Sequence, residues 1–547
     1  MNNLTEKEKY FKNNFFPDIK AGFITAIVAL PLAIAFAIAS GVNPVMGMYT
    51  AIIAGILAAV FGGSTFSITG PTGAMTVIVL STVQKFGIEG LLLAGFLSGI
   101  ILLLFSYLKL GVVLKYIPFP VISGFTAGIG LIIFLGQIPN FLGIVLVTQG
   151  TTLENLVSVF SQLHLINIFA LVIGLFTILI MIFLPGLLSK TNYIKNIPAS
   201  IIALLLSVIV VILGITVPTV GKMSASFPMP QLFNINLGLI IAILPAALTI
   251  ALLGAIESLL CAAVCDSITS TKHNSNKELF GQGIANVVVP FFGGIPATAA
   301  IARSAVNIKE GAKTKFAAIY QSLFLLIILL FFGRYTDLIP KAFLAGILMV
   351  VSFRMVNIAE AKTIFKLGRL EVIVYLTTLI LTVVTDLVFA IQVGMILAML
   401  LLFVKLVKIT EIKNLDNSDE DSHYKKEIDN DKKLKDKVQI YTIYGPLFFG
   451  VINVFETKID EHLKMHSQII ILRFKFVPFI DSTGLERLKI FIKDRQGRMK
   501  STVILTSLSP QVKKTFEEDH EISELVPKKH IFKTTEQAMD FVKKELI

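Results

Sequence analysis

Long apolar stretches separated by short polar loops make up most of this chain. No charged residue occurs between Ala21 and Gln84 or between Tyr116 and Leu153, and each run can hold more than one membrane span of about 20 residues. The lengths of the stretches and the turn residues between them predict roughly 14 membrane crossings, some of them short or broken. We place them at about 21–40, 44–62, 70–84, 89–108, 117–138, 165–184, 197–214, 238–263, 279–293, 298–309, 316–333, 340–353, 371–388 and 389–407.

The lysines and arginines of the loops fall unevenly on the two sides of this scheme. With residues 1–20 in the cytoplasm, most loop cations lie on the inner side, and only Lys85, Lys222, Arg334 and Lys341 lie on the outer side. Cytoplasmic loops of membrane proteins are enriched in lysine and arginine. The asymmetry therefore predicts cytoplasmic N- and C-termini and an even number of spans.

Two segments of the same rank carry a similar interruption. Residues 61–77 read FGGSTFSITGPTGAMTV and residues 291–306 read FFGGIPATAAIARSAV, so each has Phe-Gly-Gly, a proline and small residues that open a short helix. They belong to the third and tenth segments, which hold the same place in two sets of seven. Because seven is odd, the second set is inverted relative to the first. Broken segments at matching positions of two halves indicate a transporter's midplane binding site, and two coincidental kinks are the alternative.

The second interruption has the features of an anion site. Gly293, Gly294 and Pro296 end the preceding helix, and the helix of small residues that follows holds one cation, Arg303. The first N–H groups of such a helix, and the positive end of its dipole, attract negative charge. The alternative is a kinked membrane helix whose arginine reaches a lipid headgroup.

Glu257 lies in the middle of the eighth segment, LLGAIESLLCAAVCD. A carboxylate at that depth must face a cavity, pair with a cation or hold a proton. Glu257 is therefore a candidate site for coupling to protons or another cation, and a static ion pair with Arg303 is the alternative. Phe36 and Thr72 could line the same cavity, although periodicity equally allows them to face lipid or core.

The composition changes near residue 412. Residues 412–437 are dense in charge of both signs and predict a solvated linker. Short strands then alternate with amphipathic helices, the first of them over 452–465, and predict an α/β domain of about 110 residues. We divide the chain into a cytoplasmic N-terminus, a transporter domain with two repeats, a charged linker and the α/β domain, at residues 1–20, 21–408 (repeats at about 21–214 and 238–408), 409–436 and 437–547.

Composition excludes several classes of protein. The 547 residues are 55% hydrophobic and 15% charged, with a mean hydropathy of +0.80, which predicts an integral membrane protein. The net charge of +12 is spread through short loops, which the inner-side enrichment explains better than nucleic-acid binding. No small-residue cleavage site follows the first apolar stretch, so we expect no removable signal peptide.

Motifs for enzymatic chemistry are missing from the sequence. It holds no P-loop, dinucleotide fingerprint, nucleophilic triad or metal-binding cluster, so we expect no enzyme activity, no cofactor and no metal. Cys261 and Cys265 lie one helical turn apart, a spacing that favours packing over a metal site or a disulfide. In the α/β domain, FIDSTGLERL joins a strand to a helix. Ser482 or Thr483 is a natural N-cap there, and Ser482 is also a candidate phosphorylation site.

Several motifs resemble the sulfate permease (SulP) family of anion transporters. Residues 18–55, which begin DIKAGFITAIVALPLAIAF, resemble the family's first-segment signature, and GPTGAM and ATAAIARSAVNIKEGAKTK resemble its third- and tenth-segment motifs. The tail, with Asp-Ser-Thr-Gly at 481–484, resembles its STAS domain. LLGAIESLLCAAVCD and GGIPATAAIARSAVN look closest to the bacterial C4-dicarboxylate branch. Leu32 and Ala299 depart from residues that many members carry, which weakens any transfer of sulfate specificity.

The resemblance implies an α-helical membrane protein with a 7+7 inverted repeat, core and gate domains, and a cytoplasmic STAS domain. It also implies a homodimer that moves its substrate by an elevator motion. The anion would lie between the starts of the third and tenth segments, with Phe36 lining the cavity and Glu257 coupling transport. The matching substrate-binding positions are Phe36, Thr72, Gly73, Ala74, Ala299, Ala300 and Arg303.

The residues and the resemblance together predict a secondary active transporter of a small anion in the bacterial cytoplasmic membrane. We expect coupling to protons, with sodium as the alternative, and favour a C4-dicarboxylate slightly over sulfate or bicarbonate. An uncoupled anion channel or an exchanger of the same fold is the first alternative. A membrane-anchored signalling protein that acts through the STAS domain is the second. Expected partners are the anion, the lipid bilayer, a second copy of the chain and a cytoplasmic regulatory protein at the STAS domain.

Overall fold

Each predicted membrane segment coincides with a helix in the computed structural model. The predicted helix over 452–465 and parts of the predicted regions 1–20 and 409–436 lie outside the described residues. The structure describes residues 13–112, 118–145, 152–188, 198–223, 226–231, 237–385, 387–414, 422–431, 434–435, 437–449, 468–498 and 500–546.

The chain divides into two compact units, Met1–Ile396 and Leu397–Ile547. The domain limits proposed from the sequence, at residues 20, 408 and 436, stay predictions.

Helices build the first unit, and two short strands, β1 (Thr69–Gly70) and β2 (Thr298–Ala299), interrupt them. The helices up to the start of the second unit are α1 Phe15–Ala39, α2 Pro44–Phe61, α3 Gly73–Tyr107, α4 Phe119–Gly136, α5 Ile138–Leu142, α6 Thr152–Ser161, α7 Ile168–Leu188, α8 Ala199–Ile212, α9 Leu237–Thr269, α10 Ser275–Val288, α11 Ile301–Lys309, α12 Phe316–Phe332, α13 Lys341–Met355, α14 Ile358–Leu367, α15 Arg369–Val384 and α16 Leu387–Ile409. Short 3-10 turns lie at Leu163–Leu165, Val289–Phe292 and Gly333–Leu338.

The helix α3 contains both the third and the fourth predicted segments. Gly87 divides it, with φ of 71° and ψ of −174°, well outside the helical range. A continuous helix of this length would extend about 50 Å, far beyond the hydrocarbon core of a bilayer. Glycine tolerates positive φ at little cost, so the predicted turn between the two segments falls at Gly87.

The membrane-type character of the first unit follows from helix length and composition. Nine helical stretches among the described residues are long and apolar enough to cross a membrane. Other predicted segments form shorter helices, such as α8 with 14 residues and α11 with 9. The fold is therefore an α-helical membrane protein of two sets of seven segments, as predicted.

Glycines bring several of these helices into close contact. A Cβ at Gly99 of α3 would lie 2.4 Å from the backbone nitrogen of Val287 in α10. A Cβ at Gly124 of α4 would lie 2.4 Å from the carbonyl oxygen of Tyr375 in α15. Small residues allow membrane helices to pack backbone to backbone, where van der Waals contact replaces the hydrophobic effect as the source of stability.

Buried carboxylates tie loops of the first unit together. Asp18 of α1 is fully buried and accepts hydrogen bonds from the Lys313 and Thr314 N–H groups, at 2.6 and 3.0 Å, and from the Thr314 hydroxyl. Glu278, in the first turn of α10, accepts hydrogen bonds from the N–H groups of Gly63 and Ser64, both at 2.9 Å. Each carboxylate thereby satisfies backbone donors of a distant loop, as buried polar groups require.

The C-terminal unit is an α/β domain with one five-stranded sheet, in the order β3-β4-β5-β6-β7. The first pair is antiparallel and the other three pairs are parallel. Side chains of β5 alternate between two hydrophobic clusters, with Ile470 and Leu472 in one and Ile469 and Ile471 in the other. Burial on both faces is typical of a parallel sheet covered by helices. The elements are β3 Glu411–Asn414, α17 Ser422–Asn430, β4 Val438–Tyr444, β5 Ile469–Phe476, α18 Ser482–Arg498, β6 Thr502–Thr506, α19 Pro510–Glu518, α20 His520–Leu525, β7 Ile531–Phe532 and α21 Thr535–Phe541, with a final turn at Val542–Leu546.

The strand β3 corrects one prediction. Residues 411–414 pair with β4, and Leu434 is buried in a core cluster, so the prediction of a solvated linker over 412–437 is wrong for residues 412–414 and for Leu434. The backbone of β4 needs a hydrogen-bonding partner on its open side. Charged residues are common on edge strands, where they discourage pairing with other chains. A high density of charged residues is therefore compatible with either a solvated linker or an edge strand, and it could not distinguish them here.

A buried lysine organises one side of the C-terminal unit. Lys489 of α18 is only 6% exposed, and its Nζ donates to carboxylate oxygens of Asp519 and Glu521, both at 2.9 Å. The Ile522 N–H and the Lys489 ammonium hold the pKa of Asp519 below its usual range. Glu521 and Asp519 in turn raise the pKa of Lys489 above its usual range. This cluster therefore links α18 to α20 by charge.

We expect Lys489→Met to lower the free energy of unfolding of the C-terminal unit by about 1–2 kcal/mol near neutral pH. The pKa of Asp519 is depressed in the folded state, so its contribution is present above about pH 4 and is lost as the pH falls through the folded pKa. The pKa of Lys489 is raised, so its contribution is present below about pH 10 and is lost above the folded pKa. Hydrogen–deuterium exchange of α18 in the intact protein measures the difference.

The matched control is Lys513→Met, because Lys513 is 61% exposed and lies 3.7 Å from Glu517. Its expected effect is below about 0.5 kcal/mol. Equal loss of protection in the Lys489 variant at pH 3 and pH 7 would contradict the role of charge and leave only lost packing.

Candidate functional site

The two predicted interruptions meet in the structure. β1 pairs antiparallel with β2, with Thr69 opposite Ala299 and Gly70 opposite Thr298. The helix α3 begins just after β1 and α11 begins just after β2, and no side chain caps either start. The first three N–H groups of a helix have no partner within it. Two sets of backbone donors and two positive dipole ends therefore lie at the ends of one short ladder.

Other backbone groups in the interruptions already have partners. The Ala300 N–H donates to the Ile68 carbonyl oxygen at 2.9 Å, and the Ala299 N–H donates to the Ser258 hydroxyl oxygen at 3.2 Å. Ala299 and Ala300 thus lie at the start of α11, as predicted. Their N–H groups are not available to an anion, because both already donate to acceptors within the protein. Donors for an anion would come from the first turn of α11, where Ile301 is 44% exposed.

Glu257 and Thr72 are in direct contact. The Thr72 hydroxyl donates to Glu257 Oε2 at 2.8 Å. Thr72 is the residue before α3 and is buried, whereas the Glu257 side chain is partly exposed. Loss or gain of a proton on Glu257 would therefore alter a hydrogen bond at the start of α3. The contact joins the predicted coupling residue to one of the predicted binding residues.

Arg303 lies in the first turn of α11, and its side chain reaches the residues just before α3. It is 1% exposed, and its Nη2 donates to the Pro71 carbonyl oxygen at 2.9 Å. A Cβ on Gly70 would lie 2.8 Å from Nη1, so the guanidinium occupies the space that this glycine leaves open. Among the described residues, Nη1 has no hydrogen-bond partner. The alternative of a lipid-facing arginine is wrong, because the side chain is enclosed by protein.

Arg303 does not form the static ion pair that the sequence left open as an alternative. Among the described residues, no Glu257 oxygen lies within 4.0 Å of an Arg303 nitrogen. A buried guanidinium without a carboxylate partner keeps a charge that no direct ion pair neutralises. Glu257 and Arg303 thus act on the same region from different sides without neutralising each other by contact.

An apolar contact closes the space beside the start of α3. A Cβ on Gly73 would lie 3.3 Å from Cε1 of Phe36, 3.1 Å from Cδ1 of Ile133 and 3.3 Å from Sδ of Met355. Phe36 is 5% exposed and Ala74 is 4% exposed. Phe36, Gly73 and Ala74 are therefore brought together, and side chains from α4 and α13 cover them. Whether these positions bind a substrate remains a prediction.

Three polar residues that hold the second interruption were missed in the sequence. The Ser258 and Thr298 hydroxyl oxygens lie 2.8 Å apart. The Asn286 side chain donates to the Ala297 carbonyl oxygen at 2.9 Å and accepts from the Ala297 N–H at 2.8 Å. Polar residues inside apolar membrane segments are a signal of function, and that signal was available for Ser258 and Asn286.

Ser482 lies at the first turn of α18 and is exposed. The helix is capped by the preceding residue, because Asp481 Oδ1 accepts from the Gly484 N–H at 2.7 Å. Asp481 Oδ2 accepts from the Phe449 N–H at 3.1 Å. The prediction of a Ser482 or Thr483 cap is therefore wrong by one residue, since a carboxylate can serve both donors. The Ser482 hydroxyl remains exposed at a helix N-terminus.

Comparison with known families and proteins identifies relatives of this chain. Residues 15–378 match the model of the sulfate permease family, and residues 430–538 match the model of the STAS domain. A Bacillus subtilis protein provisionally named a sulfate transporter is 37% identical over 511 residues, which cover 92% of this chain and 93% of that protein. The bicarbonate transporter BicA of Picosynechococcus is 32% identical over 460 residues, covering 80% and 79% of the two chains.

A solved structure shares the fold. The murine Slc26a9 anion transporter superposes with a TM-score of 0.86 at 18% identity, covering 97% of this chain and 92% of that one. The names of these relatives are those of transporters, in agreement with the expectation that the chain is not an enzyme. They refer to sulfate, bicarbonate or anions in general, and they give no support to a place beside the C4-dicarboxylate branch.

Proposed function

Since the chain belongs to the sulfate permease family, and is a multi-pass membrane protein with a C-terminal STAS domain, we propose that it is a proton-coupled secondary active transporter of a small oxyanion. The anion binds between the starts of α3 and α11, and Glu257 carries the coupling proton. The two helix starts move together as part of a core that slides against a gate, in an elevator mechanism.

One observation carries this proposal. The Thr72 hydroxyl at the start of α3 donates to Glu257, so the proton site and one half of the anion site share a hydrogen bond. A neutral Glu257 removes negative charge from beside the anion and strengthens anion binding. An ionised Glu257 repels the anion. Binding of the anion and of the proton thereby favour each other, which is the linkage that a symporter needs.

The substrate we propose is sulfate or bicarbonate. Backbone N–H groups and one buried guanidinium provide a distributed positive field, which suits a small anion that must also leave. Relatives named for sulfate and bicarbonate transport favour these oxyanions over the C4-dicarboxylate that the sequence motifs favoured. Among the described residues Arg303 is the only buried cation at the helix starts.

The test is uptake into proteoliposomes. Purified protein is reconstituted, and labelled sulfate, bicarbonate and succinate are each offered with and without an inward proton gradient. We expect accumulation of one oxyanion that collapses when a protonophore is added and does not respond to a sodium gradient. Protein-free liposomes are the control.

Other outcomes of the same assay identify the alternatives. Anion flux that only equilibrates indicates a channel, and flux that requires a trans anion indicates an exchanger. Sodium-driven accumulation replaces the proton with sodium. Complete absence of flux, with a cellular phenotype that depends on residues 430–547, indicates a signalling protein that acts through the STAS domain.

The proposed setting is the bacterial cytoplasmic membrane, with both termini in the cytoplasm and the protein a homodimer. The excess of lysine and arginine in the predicted inner loops supports this orientation. We also propose that Ser482 is a regulatory phosphorylation site, because its exposed hydroxyl lies at the N-terminus of a 17-residue helix, where a phosphate is stabilised. Mass spectrometry of protein from cells, with a Ser482→Ala variant as control, tests for the modification.

A further inference from the structure

A cavity of about 200 Å³ lies beyond the apolar contact at Gly73. Its wall along α3 runs from Thr76 to Gln84, a distance of about 12 Å at 1.5 Å per residue. The other walls come from the end of α1, from α4 and α5, and from the start of α13. The cavity thus follows α3 away from the helix start where the anion is proposed to bind.

The only cation that lines this cavity is Lys341, among the residues that the structure describes. Lys341 is half-buried, and none of the described carboxylates lies within 4.0 Å of its Nζ. The other hydrogen-bonding side chains that line the cavity are uncharged, namely Thr76, Gln84, Gln137 and Asn140. A cation that lines a partly enclosed space, with neutral polar neighbours, raises the local concentration of anions.

The backbone at Lys341 is fixed. Its N–H donates to the Pro218 carbonyl oxygen at 2.8 Å, and the Val220 N–H donates to the Ile339 carbonyl oxygen at 2.9 Å. Thr219 also forms a bridge with Pro340. These contacts hold the backbone of the first residue of α13 against the loop after α8, and the residue lines the cavity.

The floor of the cavity is the apolar contact described above. Ile133 lines the cavity and also lies 3.1 Å from the position of a Gly73 Cβ. Thr76 is one helical turn beyond Gly73 on α3. The side chain of Ile133 therefore contacts both the cavity and the start of α3.

We propose that this cavity is an outer vestibule that holds an anion in transit, with Lys341 as its recognition residue and Ile133 as the barrier to the inner site. The ligand is a small inorganic oxyanion, the same class as the transported substrate. The inference rests on the proposed transport function and on the outer placement of Lys341. It adds a second anion position to that function, displaced from the first along α3.

The first experiment measures the concentration dependence of sulfate and bicarbonate uptake into proteoliposomes for Lys341→Gln, at low and high ionic strength. We expect the KM to rise about 3- to 10-fold at low ionic strength with an unchanged maximal rate, and the difference to shrink at high salt. Lys341→Arg is expected to keep the wild-type KM. Lys222→Gln is the matched control, because Lys222 is exposed on the same predicted side and does not line the cavity.

The second experiment tests the floor. Ile133→Ala is expected to raise anion flux that does not depend on the proton gradient, several-fold above wild type. Leu131→Ala is its control, since Leu131 lies on the same helix and is 38% exposed.

An unchanged KM in Lys341→Gln, or an increase that Lys222→Gln reproduces, overturns the vestibule while uptake by the wild-type protein still supports transport. Absence of uptake by the wild-type protein defeats the transport function itself. The two failures are therefore distinguishable.

Discussion

Glu257→Gln is expected to abolish proton-driven accumulation of the anion while leaving facilitated flux in place. A pH difference of one unit across the membrane corresponds to 1.36 kcal/mol per proton. Coupling one proton to each anion therefore allows about tenfold accumulation of the anion for each unit of pH difference. Glutamine keeps an oxygen that accepts the hydrogen bond from the Thr72 hydroxyl, which is 2.8 Å long in the wild-type protein. It cannot take up or release a proton. The expected accumulation ratio under a gradient is therefore about one.

The measurement is labelled-anion uptake with an imposed pH gradient, beside counterflow without one. Glu278→Gln is the matched control, since Glu278 is 2% exposed and accepts three hydrogen bonds from Gly63, Ser64 and Gln282. That variant is expected to lose stability and to stay coupled in whatever fraction folds. Full accumulation in the Glu257 variant would assign the coupling proton to another group.

Arg303→Met is expected to weaken anion binding by about 1–3 kcal/mol, or roughly 5- to 150-fold in Kd. The methionine fills similar space but removes the buried charge beside the two helix starts. The guanidinium of the wild-type protein has one nitrogen on the Pro71 carbonyl and another without a partner among the described residues. Isothermal titration with sulfate or bicarbonate measures the change directly.

Two further variants separate charge from folding. Arg303→Lys keeps a cation but loses the planar pair of donors, so an intermediate affinity is expected. Lys309→Gln removes an exposed cation from the same helix and is expected to leave the Kd unchanged. If Arg303→Met elutes as a single species and keeps the wild-type Kd, the arginine does not bind the anion. Its role would then be to hold the backbone at Pro71, just before α3.

The sequence predicted the architecture because its strongest signals concern the bilayer. The lengths of the apolar stretches predicted the helices, and the repeated Phe-Gly-Gly motif predicted the positions of both interruptions. In the structure the two interruptions pair, with Thr69 opposite Ala299. The contact between Thr72 and Glu257 was anticipated only in part, since the sequence allowed Thr72 to line the cavity that Glu257 faces but equally to face lipid or core.

Details that depend on three-dimensional contacts were not predictable. The Ala299 N–H donates to the Ser258 hydroxyl, and the Ala300 N–H donates to the Ile68 carbonyl oxygen. Both acceptors lie far from these residues in the sequence. The cap at Asp481 is a local feature, because Asp is a preferred N-cap residue and its cap donor Gly484 lies three residues on. Only the second donor, the Phe449 N–H, depends on folding. For Ala299, Ala300 and Phe449 the deciding factor is which distant group pairs with the backbone N–H, and no local pattern carries that information.

The ladder between β1 and β2 has a consequence for the origin of the fold. Each interruption exposes backbone groups inside the bilayer, where unpaired groups are costly, and the other repeat supplies their partners. A half-length ancestor would have left those groups unpaired on its own. A half-length protein of this kind would need a second copy in the opposite orientation to supply the missing partners.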